Sequence, residues 1–413
     1  MKKTISILII LIITFVSCLD NNKSSKTVKK TPVNYQVKID SLLNHYDKNK
    51  LFMGSVIIAT NRNIVYEKSI GYSDLKKNKK ATIDTKYRIG SVTKSFTAAL
   101  IFKAIEENIL DINKTIENYF PNVKNGNKIT IAQLLQHRSG IHSFTKDKWF
   151  FDNRTKDISS KEMLNKISKY DSDFVPNTKG EYSNSNYYLL ALILEKIYNT
   201  SYENLLQDKI CKPLNLNNTY SGKEIDVNSN ESYSYKYDEK WIKFPETNLS
   251  TAKGTGSIVS TVKDLNAFFE NLLIGNLLSA ESLTLMKRVE DRYGMGLFRY
   301  TTNDRQGFGH RGRIDEFRTT SIYFSKDKLS FTLISNGSKL DSNEIYSEIL
   351  KLYLGERPVN ISEKELLKFV GSYVSQKDPN DKSVFIQENN TLINFIKNEF
   401  KAPLIYKGNN RFV

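Results

Sequence analysis

Apolar positions along the chain fall into two rhythms, and the switch between them outlines the fold. Residues 37–49 carry Val37, Leu42, Leu43 and Tyr46 at helical spacing. Residues 54–60 and 64–70 are β-branched runs joined by Asn61-Arg62-Asn63, which predicts a hairpin. A polar, turn-rich stretch covers 71–86. A run containing Phe96, Ala99, Leu100, Phe102, Ala104 and Ile105 follows, apolar on most sides and therefore expected to be a buried helix. Thr130 and Gln133 form a capping box that opens a short helix closing at Ser139-Gly140, and a further helix is expected over 160–170. Residues 176–184 read as a loop, 186–198 as an apolar helix, and 221–245 as a long polar surface loop without period. Thr261 and Asp264 open a helix through Leu273. Strand patterns then occupy 294–300, 307–310, 317–324 and 329–335, before a closing helix at 343–354.

Strands at both ends with helices between them predict an α+β fold. One antiparallel sheet is built from the two ends and flanked by helices, with a helical lobe inserted between the halves. Arg357-Pro358 reads as a boundary. The main domain is therefore placed at 35–358, and a small β-rich appendage at 359–413, with β-like runs from Leu366 to Tyr373 and beyond Val384. No internal repeat is visible.

Residues 1–18 have the form of a targeting segment: Lys2 and Lys3, then an apolar run from Ile5 to Val16 too short to span a bilayer. The run ends at Ser17-Cys18, which resembles a bacterial lipoprotein signal and implies lipidation of Cys18, with residues 19–34 as a flexible tether. Phe15 departs from the leucine usual in such signals, and ordinary signal-peptidase cleavage is the competing reading. The expected location is outside the cytoplasm, anchored by lipid to a bacterial membrane. If Cys18 carries lipid, Cys211 has no intrachain partner and reads as a small core residue. With 39% hydrophobic and 11% aromatic residues the bulk of the chain is globular. The formal charge of +16 comes from lysines scattered among Asn, Asp and Glu. No nucleic-acid-binding signature accompanies it, so no nucleic acid is expected as a partner.

The candidate chemistry lies in Arg88-Ile89-Gly90-Ser91-Val92-Thr93-Lys94, at the entry to the buried helix. A serine there sits near unpaired backbone N–H groups, and a lysine three residues on shares its helical face. An amine at that distance can take the serine's proton. The spacing alone is weak evidence, because Ser-x-x-Lys recurs at Ser73/Lys76, Ser143/Lys146, Ser250/Lys253, Ser260/Lys263 and Ser325/Lys328. Two later stretches separate Ser91/Lys94 from the rest. Gly180-Glu181-Tyr182-Ser183-Asn184 places a phenol in a loop before a helix, where nearby cations would let it act as a base. Gly309-His310-Arg311-Gly312 lies in a strand, with His310 and Gly312 facing one side and the glycine admitting close backbone approach. The backbone N–H just past Gly312 is placed to pair with that of Ser91 as an oxyanion hole.

Ser-x-x-Lys, Tyr-x-Asn and His-x-Gly in this order resemble the serine β-lactamase and penicillin-binding protein superfamily, in the branch of class C β-lactamases, D-alanyl-D-alanine carboxypeptidases and esterases. Residues 87–97, the stretch Leu134-Leu135-Gln136-His137-Arg138-Ser139-Gly140-Ile141, Tyr182 through Glu195, Pro213-Leu214 and 256–265 also match, so the likeness runs over about 37–354. It implies an acyl-enzyme hydrolase of a peptide, amide or ester, with a cell-wall-derived compound or a β-lactam among the candidates. Ser91 would be the nucleophile, Lys94 and Tyr182 the shared acid and base, and Asn184 and His310 substrate contacts. The N–H groups of Ser91 and Arg313, beside Gly312, would form the oxyanion hole. Histidine replaces the lysine usual at 310, which disfavours strong β-lactamase activity. Asn177 replaces a usual glycine and tolerates the same left-handed backbone. No cofactor and no metal site is expected; His45, His137, His142 and His310 are the only histidines and show no metal spacing. Arg311 and Arg313 are candidates for a substrate carboxylate, and Ser139 and Phe144 read as loop packing. The alternative function is a non-catalytic sensor or scaffold of the same fold.

Overall fold

The computed structural model describes residues 35–302, 305–355, 362–375, 382–388, 391–396 and 400–404. The expected leader, tether, Cys18 and the Arg357-Pro358 boundary lie outside the described residues. The main sheet has six strands: β1 (Phe52–Thr60), β2 (Asn63–Ile70), β3 (Phe298–Thr302), β4 (Arg305–Ile314), β5 (Phe317–Phe324) and β6 (Leu329–Ser338). Their order is β3-β4-β5-β6-β1-β2, and every neighbouring pair is antiparallel. The two ends of the chain meet at β1 and β6, with Thr60 opposite Leu329 and Phe52 opposite Ser338. The β1–β2 turn is tighter than the three-residue link read from the sequence. Asn61 and Arg62 take φ of 51° and 66°, the two left-handed residues that suit a right-twisted hairpin, and β2 resumes at Asn63.

Helices cover both faces of the sheet. Val56 and Ile58 of β1 pack with Ile39 and Leu43 of α1 (Tyr35–Lys48) and with Ile345 and Ile349 of the closing Ser342–Tyr353 helix. Ile57 points the other way, into the core shared with the helical lobe. A strand buried on both faces explains why 52–60 reads as a nearly unbroken apolar run. In the lobe, α2 (Thr93–Glu106) and α3 (Asn184–Tyr198) are apolar nearly all round because both are enclosed. Phe96 of α2 stacks on Phe268 of α4 (Val262–Ile274) with centroids 3.6 Å apart. Burying a side chain of that size contributes about 1.5–3 kcal/mol.

Several boundaries differ from the sequence reading. The 221–245 stretch carries a hairpin, Tyr235–Asp238 with Lys240–Lys243, and Asn336 of β6 holds it by donating to Ser232 Oγ and the Tyr233 carbonyl. Its strands are only four residues long, so the alternation of Tyr235 and Tyr237 with the exposed Lys236 and Asp238 does not stand out from the polar stretch. Beyond the main sheet, Leu366 to Phe369, read as β-like, is helical. Ser362 and Glu365 cap the turn Glu363–Leu366, and a 3-10 turn follows at Leu367–Phe369. Strands at Gly371–Val374, Lys382–Glu388, Thr391–Ile396 and Phe400–Leu404 form a separate four-stranded antiparallel sheet.

Candidate active site

The nucleophile segment is set by a short strand. Tyr87–Arg88 pairs with Ile258–Ser260, the Ile89 N–H continues that pairing to the Ile258 carbonyl, and the chain then tightens into a 3-10 turn over Gly90–Val92 that runs into α2. Ser91 sits in this turn, partly exposed, and Lys94 is fully buried one turn later. Lys94 Nζ has three polar neighbours: Asn184 Oδ1 at 2.8 Å, the Thr255 carbonyl at 2.8 Å and Ser91 Oγ at 3.2 Å. The first two only accept, so they take two N–H bonds. Burial pushes the Lys94 amine well below its ordinary pKa. A neutral amine spends both N–H groups on these two oxygens, and its lone pair is left facing the Ser91 hydroxyl. That is the geometry of a base for serine.

Tyr182 lies beside this pair, with its ring centroid 4.9 Å from Lys94 Nζ and a hydrogen bond to Ser91. Desolvation of the ring, part of which stays open to the cleft, raises the phenol above its ordinary pKa, and the Ser91 bond opposes that only partly. The resting phenol is therefore protonated and suited to donate. The sequence reading has Tyr182 share acid and base work with Lys94; in the resting site the phenol holds its proton.

His137, noted in the sequence only for lacking a metal spacing and for lying in a matched stretch, packs on the phenol. The His137 ring packs on Tyr182 at 4.3 Å, and its Nδ1 accepts the Ser183 N–H at 3.1 Å while its carbonyl accepts the Glu181 N–H at 2.8 Å. Burial holds His137 well below its ordinary pKa, so it stays neutral, with Nδ1 as acceptor. Its φ of 57° is left-handed. Tyr293, also unflagged in the sequence, packs against both rings, with its centroid 6.2 Å from that of Tyr182 and 5.2 Å from that of His137. The available signal was the match around Leu134–Ile141, which includes His137. Asn177 has φ 69°, as its replacement of glycine required.

Asn184 opens α3 and its side chain is engaged at both ends, accepting from Lys94 and donating to Thr145 Oγ1 at 2.8 Å. It buttresses the lysine as well as facing the cleft. On β4, His310 and Gly312 are buried while Arg311 and Arg313 are exposed, as alternation predicts. Arg311 donates to Asn343 Oδ1 of the closing helix at 2.6 Å, so its guanidinium lies on the face of the sheet away from His310. Arg313 projects to the same side, opposite Arg318. Neither side chain is placed as the carboxylate ligand considered from the sequence. His310 Nδ1 donates to the Arg311 carbonyl at 2.6 Å, and desolvation together with the nearby Lys94 pulls the imidazole down to about 3, so at neutral pH it offers a hydrogen-bonding ring without charge.

Two glycines bring the oxyanion segments together. A Cβ on Gly312 would lie 2.0 Å from the Ile89 carbonyl oxygen and 3.1 Å from Ser91 N, and one on Gly90 would lie 2.8 Å from Arg313 N. The backbones carrying the Ser91 and Arg313 N–H groups therefore touch, and only glycine permits it. Ser139 and Phe144 are buried packing residues; Ser139 Oγ donates to Asn186. Cys211 is a free, buried thiol. Among the described residues no cluster of three His, Cys, Asp or Glu side chains is placed to hold a metal ion. A cavity of about 600 Å³ is lined by Arg88, Lys223, Glu246, Thr247 and Ser250 among others, and Ser91, Lys94 and Tyr182 are not among its walls.

The Beta-lactamase family model matches 39–353. Teichoic acid D-alanine hydrolase of Staphylococcus aureus (strain NCTC 8325 / PS 47) is 26% identical over 345 residues, covering 81% of this chain and 84% of that protein. Protein flp of Staphylococcus aureus (strain MRSA252) is 27% identical over 318 residues, 73% of this chain, which spans only 63% of its length. Among solved structures, D-amino acid amidase from Ochrobactrum anthropi SV3 complexed with D-phenylalanine superposes with a TM-score of 0.70 at 22% identity, over 77% of this chain and 98% of that one. The octameric penicillin-binding protein homologue from Pyrococcus abyssi gives a TM-score of 0.70 at 25% identity, over 89% and 90%. With most of its length matched and the antiparallel sheet and inserted lobe in place, the chain belongs to the Beta-lactamase family, a family of serine hydrolases.

Proposed function

We propose that the protein hydrolyses D-aminoacyl esters or amides, D-alanyl esters foremost, through an acyl-enzyme on Ser91. The observation that carries this reading is the Lys94 amine, buried, depressed in pKa and held by two acceptors with its remaining valence toward Ser91 Oγ. Lys94 takes the Ser91 proton as Oγ attacks the substrate carbonyl. The N–H groups of Ser91 and Arg313 receive the developing oxyanion. Tyr182 gives its proton to the leaving oxygen or nitrogen, which leaves a phenolate beside the protonated Lys94. In the second half, water passes a proton to that phenolate and attacks the acyl carbon. Ser91 Oγ then leaves with the proton held by Lys94, and both groups return to neutral.

The substrate class is supported by His310 and by the relatives. A neutral imidazole supplies no fixed charge, and Arg311 faces the other side of the sheet, so a carboxylate next to the scissile bond would be poorly paired there. An ester or amide without that carboxylate suits the site better than a β-lactam or a C-terminal D-Ala-D-Ala peptide. The names of the teichoic acid hydrolase and the D-amino acid amidase point the same way. The sequence of residues 1–18 supports export and a lipidated Cys18 at a bacterial membrane.

The test is intact-mass analysis with fluorophosphonate, beside turnover of a D-alanyl ester, a D-amino-acid amide, a D-Ala-D-Ala peptide and a chromogenic cephalosporin. The expected result is one adduct, absent in Ser91→Ala, with ester or amide turnover exceeding the other two. Absence of any adduct in folded protein would favour the non-catalytic alternative. Detergent-phase partition of the wild type but not of Cys18→Ala tests the anchor.

A further inference from the structure

The two N–H groups of the oxyanion site come from segments more than two hundred residues apart in sequence, and a buried ion pair ties those segments together. Arg88 stands three residues before Ser91, and Asp315 two residues after Arg313, in the turn that joins β4 to β5. Their side chains are 2% and 1% exposed, with Arg88 Nη1 donating to Asp315 Oδ2 at 3.3 Å. Between them they clamp one residue of the 221–249 segment. The Thr247 N–H and hydroxyl donate to Asp315 Oδ1 at 3.1 and 2.7 Å, and the Thr247 carbonyl accepts from Arg88 Nη1 at 2.7 Å. Arg154 Nη1 reaches Asp315 Oδ1 at 3.5 Å from the end of the 141–154 loop, and Arg88 Nη2 is held by the Lys223 carbonyl and Glu246. Three other chain segments, at 88, 154 and 247, thus converge on the Asp315 carboxylate. Among the described residues, none of these groups hydrogen-bonds to the cleft side chains Ser91, Lys94 or Tyr182.

We infer that Asp315 is a positioning residue: with Arg88 it fixes the separation of the Ser91 and Arg313 N–H groups, and through Thr247 it ties the 221–249 segment to that frame. The inference rests on the acyl-enzyme reading above. The physical argument is that an oxyanion hole works only while its donors keep their spacing, and displacement of about 1 Å costs on the order of a hundred-fold in rate. The Gly90 and Gly312 contacts stop the two backbones from moving closer; nothing in those contacts stops them from parting, and the Arg88–Asp315 pair does. Removing the charge leaves the buried Arg88 with Glu246, which is partly exposed, as its one remaining carboxylate partner among the described residues, and this weakens the tie across the two segments.

The experiment compares wild type, Asp315→Asn and Thr247→Val in the full chain. Asparagine keeps an acceptor and tolerates the φ of 50° at this position, so the backbone turn survives the change. Active sites are counted by fluorophosphonate labelling taken to completion, and kcat per labelled site and KM are measured with a D-alanyl ester. A purely structural loss lowers the number of labelled sites and leaves kcat per site unchanged. The expected result for Asp315→Asn is a fall of ten-fold or more in kcat per site with KM within three-fold; a smaller fall overturns the inference. Should Asp315→Asn give no labelled sites, Thr247→Val decides, with a fall of at least three-fold expected and a smaller one overturning it. Wild-type protein that neither labels nor turns over overturns the serine-hydrolase reading and the inference with it, whereas active wild type with unaffected variants overturns the inference alone.

Discussion

Lys94 Nζ lies 3.2 Å from Ser91 Oγ, and it is held there by Asn184 Oδ1 and the Thr255 carbonyl, each at 2.8 Å. Three elements distant in sequence therefore decide what one amine can do. Two fixed acceptors choose which of its valences faces the serine, and burial chooses its protonation state.

Lys94→Met should abolish turnover and serine labelling by at least a thousand-fold, near the upper range for removing a general base. The change strands Asn184 Oδ1 and the Thr255 carbonyl, at a cost of about 1–3 kcal/mol, and removes the penalty of burying the amine, so a modest fall in Tm is expected with the fold retained. Lys94→Arg should not rescue activity, since a guanidinium stays charged and cannot accept the proton. Labelling rates and thermal melts check all three statements, and an active arginine variant would falsify the assignment.

The pH response follows with opposite readouts for rate and stability. The base works when neutral, so kcat/KM should rise with pH through the depressed Lys94 pKa, with its rising limb well below the ordinary lysine value of 10.5. A limb at or above that value in a pH–rate profile counts against Lys94 as base. For stability, the native His310 ring stays neutral down to about 3, while the unfolded chain takes up a proton near 6.5. Between those values the unfolded state binds more protons, so stability falls on acidification, by about 1.4 kcal/mol per pH unit for one such site. Melts from pH 7 to 4 should show a shallower slope in His310→Gln by about one proton. His137 acts with the same sign, and His142, raised by Asp173 and Asp147, with the opposite one, so both cancel in the comparison.

Gly312→Ala places a methyl 2.0 Å from the Ile89 carbonyl oxygen, and that neighbour is backbone that cannot rotate away. The strand must shift from the nucleophile turn. A loss of about a hundred-fold in kcat is expected, the magnitude of losing one oxyanion donor, with the fold retained by circular dichroism. Activity within five-fold of wild type would show that β4 is not held against Ser91.

His137→Phe keeps the ring packing on Tyr182 and removes the acceptor for the Ser183 N–H. An unsatisfied buried donor destabilises by about 1–3 kcal/mol, and the loosened phenol should lower kcat roughly ten-fold with KM little changed. Steady-state kinetics beside a denaturant titration separate the two effects; unchanged kcat would remove His137 from the positioning of Tyr182.

Much of this protein is written locally. The β-branched run of 54–60, the capping pairs at Thr130 and Thr261 and the all-round apolar stretch after Ser91 specify their elements through interactions within a few residues, so they were legible. The likeness of the Ser-x-x-Lys, Tyr-x-Asn and His-x-Gly segments also named the residues that gather around Lys94. What the chain could not state in one dimension is what burial and distant partners impose. Arg311 and His310 are adjacent, yet one faces Asn343 and the other the cleft side of the sheet. His137 looked like an ordinary core histidine because its partner, the Ser183 N–H, is 46 residues away. The hairpin in 221–245 has strands of four residues, too short for their rhythm to stand out, and is held by hydrogen bonds from Asn336. The protonation states of Lys94, Tyr182 and His310 are the clearest case. Sequence supplies three titratable groups with ordinary affinities for protons; only their joint removal from water in the tertiary structure turns the amine into a base, keeps the phenol an acid and strips the imidazole of charge.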